Sequence, residues 1–128
     1  MSSKVGSDFV DIIVTTPKSE HKTAEAEAEA VAHDSNSFWF RTIRGKPNVK
    51  IGDRVYYVDD GMIRGYGVVF EIEVGEMWDD THERWWNGTH LKQRIWVWLK
   101  KPIPFRGFQG FRYVDKIDEL REKLEQAS

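Results

Sequence analysis

Residues 50–73, KIGDRVYYVDDGMIRGYGVVFEIE, constrain the fold more than any other stretch of the chain. Residues 54–59 alternate, with Val55 and Tyr57 on one face and Tyr56 and Val58 on the other, which predicts a strand. Asp60-Gly61 then supplies the positive φ that a two-residue hairpin turn needs. A longer second strand is expected over residues 63–74. Gly65 and Gly67 fall on one of its faces, and paired strand glycines serve either a sharp bend or a ligand lying close to the backbone. Bending is their commoner use. The hairpin is therefore expected to be the spine of a small curved sheet or barrel.

The other elements are arranged around it. FVDIIVTT, residues 9–15 and the threonine after them, is apolar at almost every position and predicts a strand buried on both faces. Thr16-Pro17 opens a helix over residues 17–32, because threonine caps and proline suits the first helical position. Phe38 to Ile43 predicts an aromatic strand ending in Arg41-Thr42-Ile43. Residues 75–90, GEMWDDTHERWWNGTH, read as a polar loop in which Asp80 or Thr81 caps a short helical turn over 82–86. Residues 91–99 alternate again, with Ile95, Val97 and Leu99 on one face and Arg94, Trp96 and Trp98 on the other. Pro102 and Pro104 bar residues 101–104 from a central strand. The segment after them is expected to be an irregular lid over one end of the sheet. Asp115 is expected to cap a final helix striped by Ile117, Leu120 and Leu124.

At 128 residues the chain holds one core. Residues 1–8 are expected to be a flexible N-terminus and residues 9–128 a single domain. No apolar run nears the roughly 20 residues of a membrane helix. Cysteine is absent, which excludes disulfides and thiolate chemistry. With no signal-like apolar start, a cytoplasmic protein is expected. The net charge of −2 argues against a protein that merely coats nucleic acid. Its distribution is more informative. Arg41, Arg44, Lys46, Lys50 and Arg54 form one basic block with Asp53 as its single acid. Residues 91–113 form a second block with no acid. If they adjoin in the fold, they make a positive face.

Six tryptophans accompany these blocks. Trp39, Trp96 and Trp98 sit in predicted strands, where a wall or core role is the ordinary one. Trp78, Trp85 and Trp86 sit in the polar segment, which allows an exposed stacking surface. Bases stack on such rings while cations neutralise phosphates. The histidines, His21, His33, His82 and His90, show no metal-ligand spacing. No HExxH, GxSxG or P-loop pattern occurs. No cofactor, metal or catalytic residue is expected on these grounds.

The order of elements, with FWFR at 38–41, KIGDRVYYV at 50–58 and IRGYGVV at 63–69, resembles the PUA-like superfamily, chiefly its ASCH and EVE branches. The resemblance spans about residues 9–113. It implies an α+β fold: a small mixed PUA-like β-barrel with an N-terminal helix after the first strand and a C-terminal helix. It also implies binding of RNA or DNA, often with a modified base in an aromatic pocket. Some ASCH enzymes are amidohydrolases using lysine, threonine and glutamate. Lys22, Thr23 and Glu25 would correspond, but Glu20 and Glu27 replace the motif's glycine and arginine. Aligned instead on Gly52-Asp53, Arg41 takes the arginine position and Trp39 replaces the glutamate. The chain departs from the hydrolase pattern in either alignment.

The resulting expectation is a non-catalytic domain binding RNA or single-stranded DNA, monomeric and without a membrane. Arg41, Arg44, Arg64 and Arg94 would meet phosphates, and Trp39, Trp78, Trp85 or Trp86 a base. Two alternatives stay open: a protein-interaction module using the tryptophan-rich 75–90 segment, and a hydrolase acting on a modified nucleoside.

Overall fold

The computed structural model describes residues 10–16, 38–80 and 82–128. Its strands are β1 (Ile12–Thr15), β2 (Trp39–Ile43), β3 (Arg54–Asp59), β4 (Met62–Asp79), β5 (Arg84–Pro104) and β6 (Phe111–Tyr113). The expected hairpin is β3–β4, turned at Asp60 (φ 54°) and Gly61 (φ 77°). Strand order is β2-β5-β4-β3-β1-β6. β1 lies parallel to β3 and antiparallel to β6, so it is paired on both sides. That explains its continuous apolar run: Ile12, Ile13 and Val14 are all fully buried.

The predicted face alternation of β3 divides the core. Tyr56 and Val58 join Ile13, Ile63 and Tyr66 beneath the C-terminal helix, whose Leu120 and Leu124 are buried there. Val55 joins Ile12, Val14, Ile43, Val69 and Leu91, with Tyr57 at the margin. This second cluster draws on β1 to β5 together, which marks the concave side of a half-barrel. The Gly52-Asp53 pair is a structural joint. Gly52 has φ 100°, and the fully buried Asp53 carboxylate accepts N–H groups from Lys50 (2.7 Å) and Val10 (3.2 Å). Burial raises its pKa despite those bonds, and the nearby Asp11 adds to the rise.

The space above Gly65 and Gly67 is filled by the protein itself. A Cβ on Gly67 would run into the Trp39 ring and lie 2.8 Å from Gln93 Oε1. One on Gly65 would lie 2.6 Å from the Trp96 ring. The glycines therefore admit indoles rather than a ligand. Trp39 Nε1 donates to Tyr57 Oη (2.9 Å), which donates to Gln93 Oε1 (2.8 Å).

Three expectations need correction. Residues 75–79 and 84–90 are neither loop nor helix: β4 and β5 run on as a two-stranded ribbon pairing Met77 with Trp86, Trp78 with Trp85 and Asp79 with Arg84. Cross-strand contact between Trp78 and Trp85 (5.5 Å, edge-on) supplies the packing that the polar sequence hides. Ile95 leaves the apolar row of β5. An extra residue between the Tyr66–Val97 and Val68–Arg94 pairs makes a bulge, with Ile95 at φ 64° and 59% exposed. Asp115 does not cap the last helix. It lies in a 3-10 turn (Val114–Lys116), and the helix begins at Leu120 behind Glu119 (φ 63°). Asp115 instead receives Arg121, which also reaches the buried Asp11. Those two carboxylates hold the Arg121 pKa above its usual value against the opposing effect of burial.

Residues 101–104 close β5 as a strand paired on one side only, where Ile103 faces Ile63 and Pro104 faces Met62. Phe105 and Phe108 then cover the first core cluster, as a lid would. The predicted helix over 17–32, the loop over 33–37 and the flexible residues 1–8 lie outside the described residues. Among the described residues, no helix is long and apolar enough to cross a membrane.

Candidate functional site

β2 and β6 are the two edges of the sheet, and its curl brings them toward each other. Arg41 Nη2 on β2 donates to the Thr15 carbonyl of β1 at 3.1 Å. On the other side, the Asn48 N–H donates to Tyr113 Oη at 3.0 Å. Between these edges opens a cleft of about 830 Å³. Residues 41–44 at the end of β2 form one wall, ribbon residues 84–87 a second, and residues 109–111 a third.

Local geometry makes the corner. β2 stays paired with β5 as far as Ile43 and Thr89. Beyond that pair, β2 turns away at Gly45 (φ 83°) while β5 continues as the ribbon edge. Gly88 (φ 147°) lies so close to β2 that a Cβ would sit 2.7 Å from the Ile43 carbonyl. His90, fully buried, braces this root from both sides. Its Nε2 donates to the Gly75 carbonyl (2.6 Å), so Nδ1 accepts from Thr42 Oγ1 (2.8 Å).

The cleft collects Arg41, Arg44, Trp85 and Trp86 from the sequence-predicted set and adds Arg84. Among the described residues that line it, none carries a carboxylate. Arg84 lies over the Trp86 ring at 4.1 Å. Trp86 is held from behind: its Nε1 donates to Asp79 Oδ2 at 3.0 Å, and the same oxygen takes His82 Nδ1 at 2.7 Å. Burial pushes the Asp79 carboxyl up, but hydrogen bonds from His82 and Trp86 outweigh it and leave the pKa below its ordinary value. Trp85 is 60% exposed. Its neighbour Trp78, 44% exposed, donates Nε1 to Asp80 Oδ1 at 2.6 Å and does not line the cleft.

The remaining predicted residues lie elsewhere. Trp39 is part of the barrel interior, Arg64 Nε donates to the Asp59 carbonyl at 3.0 Å, and Arg94 covers Phe70 at 3.8 Å. The two basic blocks do not merge in this cleft. The second sends no cation into it and contributes Gln109, Gly110 and Phe111. Sequence reasoning missed Arg84 because it assigned the residue to a helical turn. The available signal was the polar run D-D-T-H-E-R flanked on both sides by tryptophan, the pattern of an aromatic-paired hairpin. Among the described residues, no cluster of histidine, aspartate and glutamate is placed to hold a metal ion.

No family model matches the chain, and no curated protein matches it in sequence. Solved structures do resemble it. The crystal structure of ASCH from Zymomonas mobilis aligns at TM-score 0.58 and 13% identity, covering 91% of this chain and 94% of that one. A tyrosine-to-phenylalanine mutant of the same protein aligns at TM-score 0.60 and 14% identity, covering 91% and 96%. The chain thus shares the fold of those ASCH structures, here a six-stranded half-barrel.

Proposed function

We propose that the seam cleft binds single-stranded nucleic acid, RNA or DNA, without catalysing a reaction on it. One observation carries this reading: three arginines and two indoles line a single cleft, and no carboxylate stands among the described residues of its walls. Arg44 and Arg84 have no ion-pair partner among the described residues, so their charge is available to phosphates. Exposed Trp85 supplies a ring on which a base stacks. The acid-rich remainder of the chain explains how a net charge of −2 coexists with a cationic site.

Three phosphate contacts predict a modest, measurable salt dependence. The slope of log K against log salt is expected near −2, from about −0.7 per neutralised phosphate on a single strand. Anisotropy titrations with labelled RNA and DNA decamers at several salt concentrations test it. Binding that ignores salt, or no binding at low salt, rejects the reading.

A second reading has its own observation. Val74 (64% exposed), Trp78 and Trp85 stand out on the ribbon, and β5 pairs only with β4 over residues 84–88. Such an edge suits a protein partner. Trp78→Ala discriminates the two readings. It would abolish capture of a protein partner in a pull-down, yet leave decamer binding unchanged, because Trp78 is outside the cleft.

A further inference from the structure

We propose that the ribbon beyond Gly75 and Gly88 is a flap that swings on those two glycines and closes over a single strand lying in the cleft; this rests on the single-strand reading above. The two glycines are register partners across the ribbon. Both have positive φ, 115° and 147°, a conformation that residues bearing side chains rarely adopt. Gly88 also has a packing reason to be glycine, because the Ile43 carbonyl leaves no room for a Cβ. Gly75 has none. A Cβ there would meet nothing within 4 Å, so its glycine serves the backbone alone.

Among the described residues, strand pairing with the body stops short of this joint. The β3 ladder on β4 ends at Val68, and β2 leaves β5 at Thr89. At the joint itself His90 holds the Gly75 carbonyl, and Thr89 Oγ1 donates to the Gly45 carbonyl at 2.5 Å. Past it, four residue pairs, from Glu76–Asn87 to Asp79–Arg84, join the ribbon strands to each other. Side chains stiffen this arm from within: Trp78 packs on Trp85, and Asp79 ties His82 to Trp86. A stiff arm on a joint of a few residues is how a hinge is built. Four residues at about 3.3 Å give an arm about 13 Å long, so a tilt of about 20° carries its tip about 5 Å. Arg84 and Trp85 ride on the arm, whereas Arg41 and Arg44 belong to β2 and the turn after it. A strand that touches both sets favours the closed position by the contacts it gains there. The arm moves toward residues 109–111, the wall on the β6 side.

The chain has no cysteine, so two engineered ones carry spin labels with no other change. Glu83→Cys marks the turn of the arm and Arg112→Cys marks the body beside the β6 wall; both positions are exposed and neither lines the cleft. A saturating uridine decamer RNA at low salt should narrow the distance distribution between these labels and shorten it by about 5 Å. Arg112→Cys paired with Glu125→Cys, on the C-terminal helix, should show no change. Gly75→Ala, with folding checked by its thermal melt, restricts the joint without filling it and should lose most of the shift. An unchanged distance from 83 to 112 in the RNA-bound protein overturns the flap, as does an equal shift in the pair on the body. A full shift in folded Gly75→Ala overturns the joint. If the decamer does not bind at low salt, the single-strand reading itself has failed, a result distinct from binding with the arm at rest.

Discussion

Two groups of tryptophan in this molecule meet very different neighbours. Trp39 and Trp96 lie over Gly65 and Gly67 inside the half-barrel, where glycine is the only residue small enough to receive them. Trp85 and Trp86 belong to a ribbon whose strands pair with nothing but each other over residues 84–88. There Trp85 meets Trp78 while Trp86 meets Arg84 and His82, and part of each ring system stays in solvent. The contrast shows that an aromatic residue's role follows from what stands opposite it in the register. Removing Trp39 leaves a hole and deprives the Tyr57 hydroxyl oxygen of the N–H it accepts; removing a ribbon indole removes a surface.

The largest effect expected from this contrast is on stability. Trp39→Ala should destabilise the fold by about 3 kcal/mol, at the lower end for a core tryptophan because Trp39 is only partly buried. Gly67→Ala should cost about 1–3 kcal/mol by forcing a Cβ into the Trp39 ring. Trp85→Ala should cost less than about 0.5 kcal/mol. Urea unfolding midpoints measure all three, and equal losses for Trp39 and Trp85 would erase the distinction.

Binding should reverse that ranking. Trp85→Ala is expected to weaken decamer affinity by about 1–3 kcal/mol, the contribution of one stacked base. An interior change that leaves the protein folded, such as Trp39→Phe, should leave affinity intact. A smaller effect isolates the charge: Arg44→Ala should make the salt slope shallower by about 0.7, the loss of one phosphate contact. Arg94→Ala, outside the cleft and stacked on Phe70, should leave the slope unchanged.

The smallest expected difference is in acid. Asp79 in the ribbon has a pKa below its ordinary value of 3.8, so the stability it contributes is present above that value and is lost as pH falls through its folded pKa. Asp53 in the body has a raised pKa; its contribution is present below 3.8 and is lost as pH rises through its folded value. Below about pH 4, ribbon tryptophan fluorescence should therefore change before global unfolding. Asp79→Asn should abolish the early change; if it persists, the Asp79 network is not its origin.

Much of the scaffold was legible because its signals are local. The Asp60-Gly61 turn needs positive φ, and the alternation over residues 54–59 needs two apolar faces; both appear where the sequence puts them. The buried strand at 12–15 and the Leu120–Leu124 stripe follow from the same reasoning. The ribbon was illegible because it has no apolar face to bury. Its stabilising contacts are pairs such as Trp78 with Trp85, seven positions apart, which appear only once the register is known. Half of the predicted site residues reach the cleft for a related reason. Arg41 and Arg44 come from a predicted strand end, whereas Arg84 depends on the ribbon's length and Arg64 and Arg94 are turned elsewhere.

The amino-acid order alone set the hairpin, the doubly buried first strand and the small residues that let indoles inside, because turn chemistry, periodicity and side-chain size act over a few neighbouring positions. Which cations share a cleft was settled only by the curl of the sheet. That curl brings edge strands β2 and β6, some 70 residues apart along the chain, to either side of one opening, and no local pattern encodes a distance of that kind.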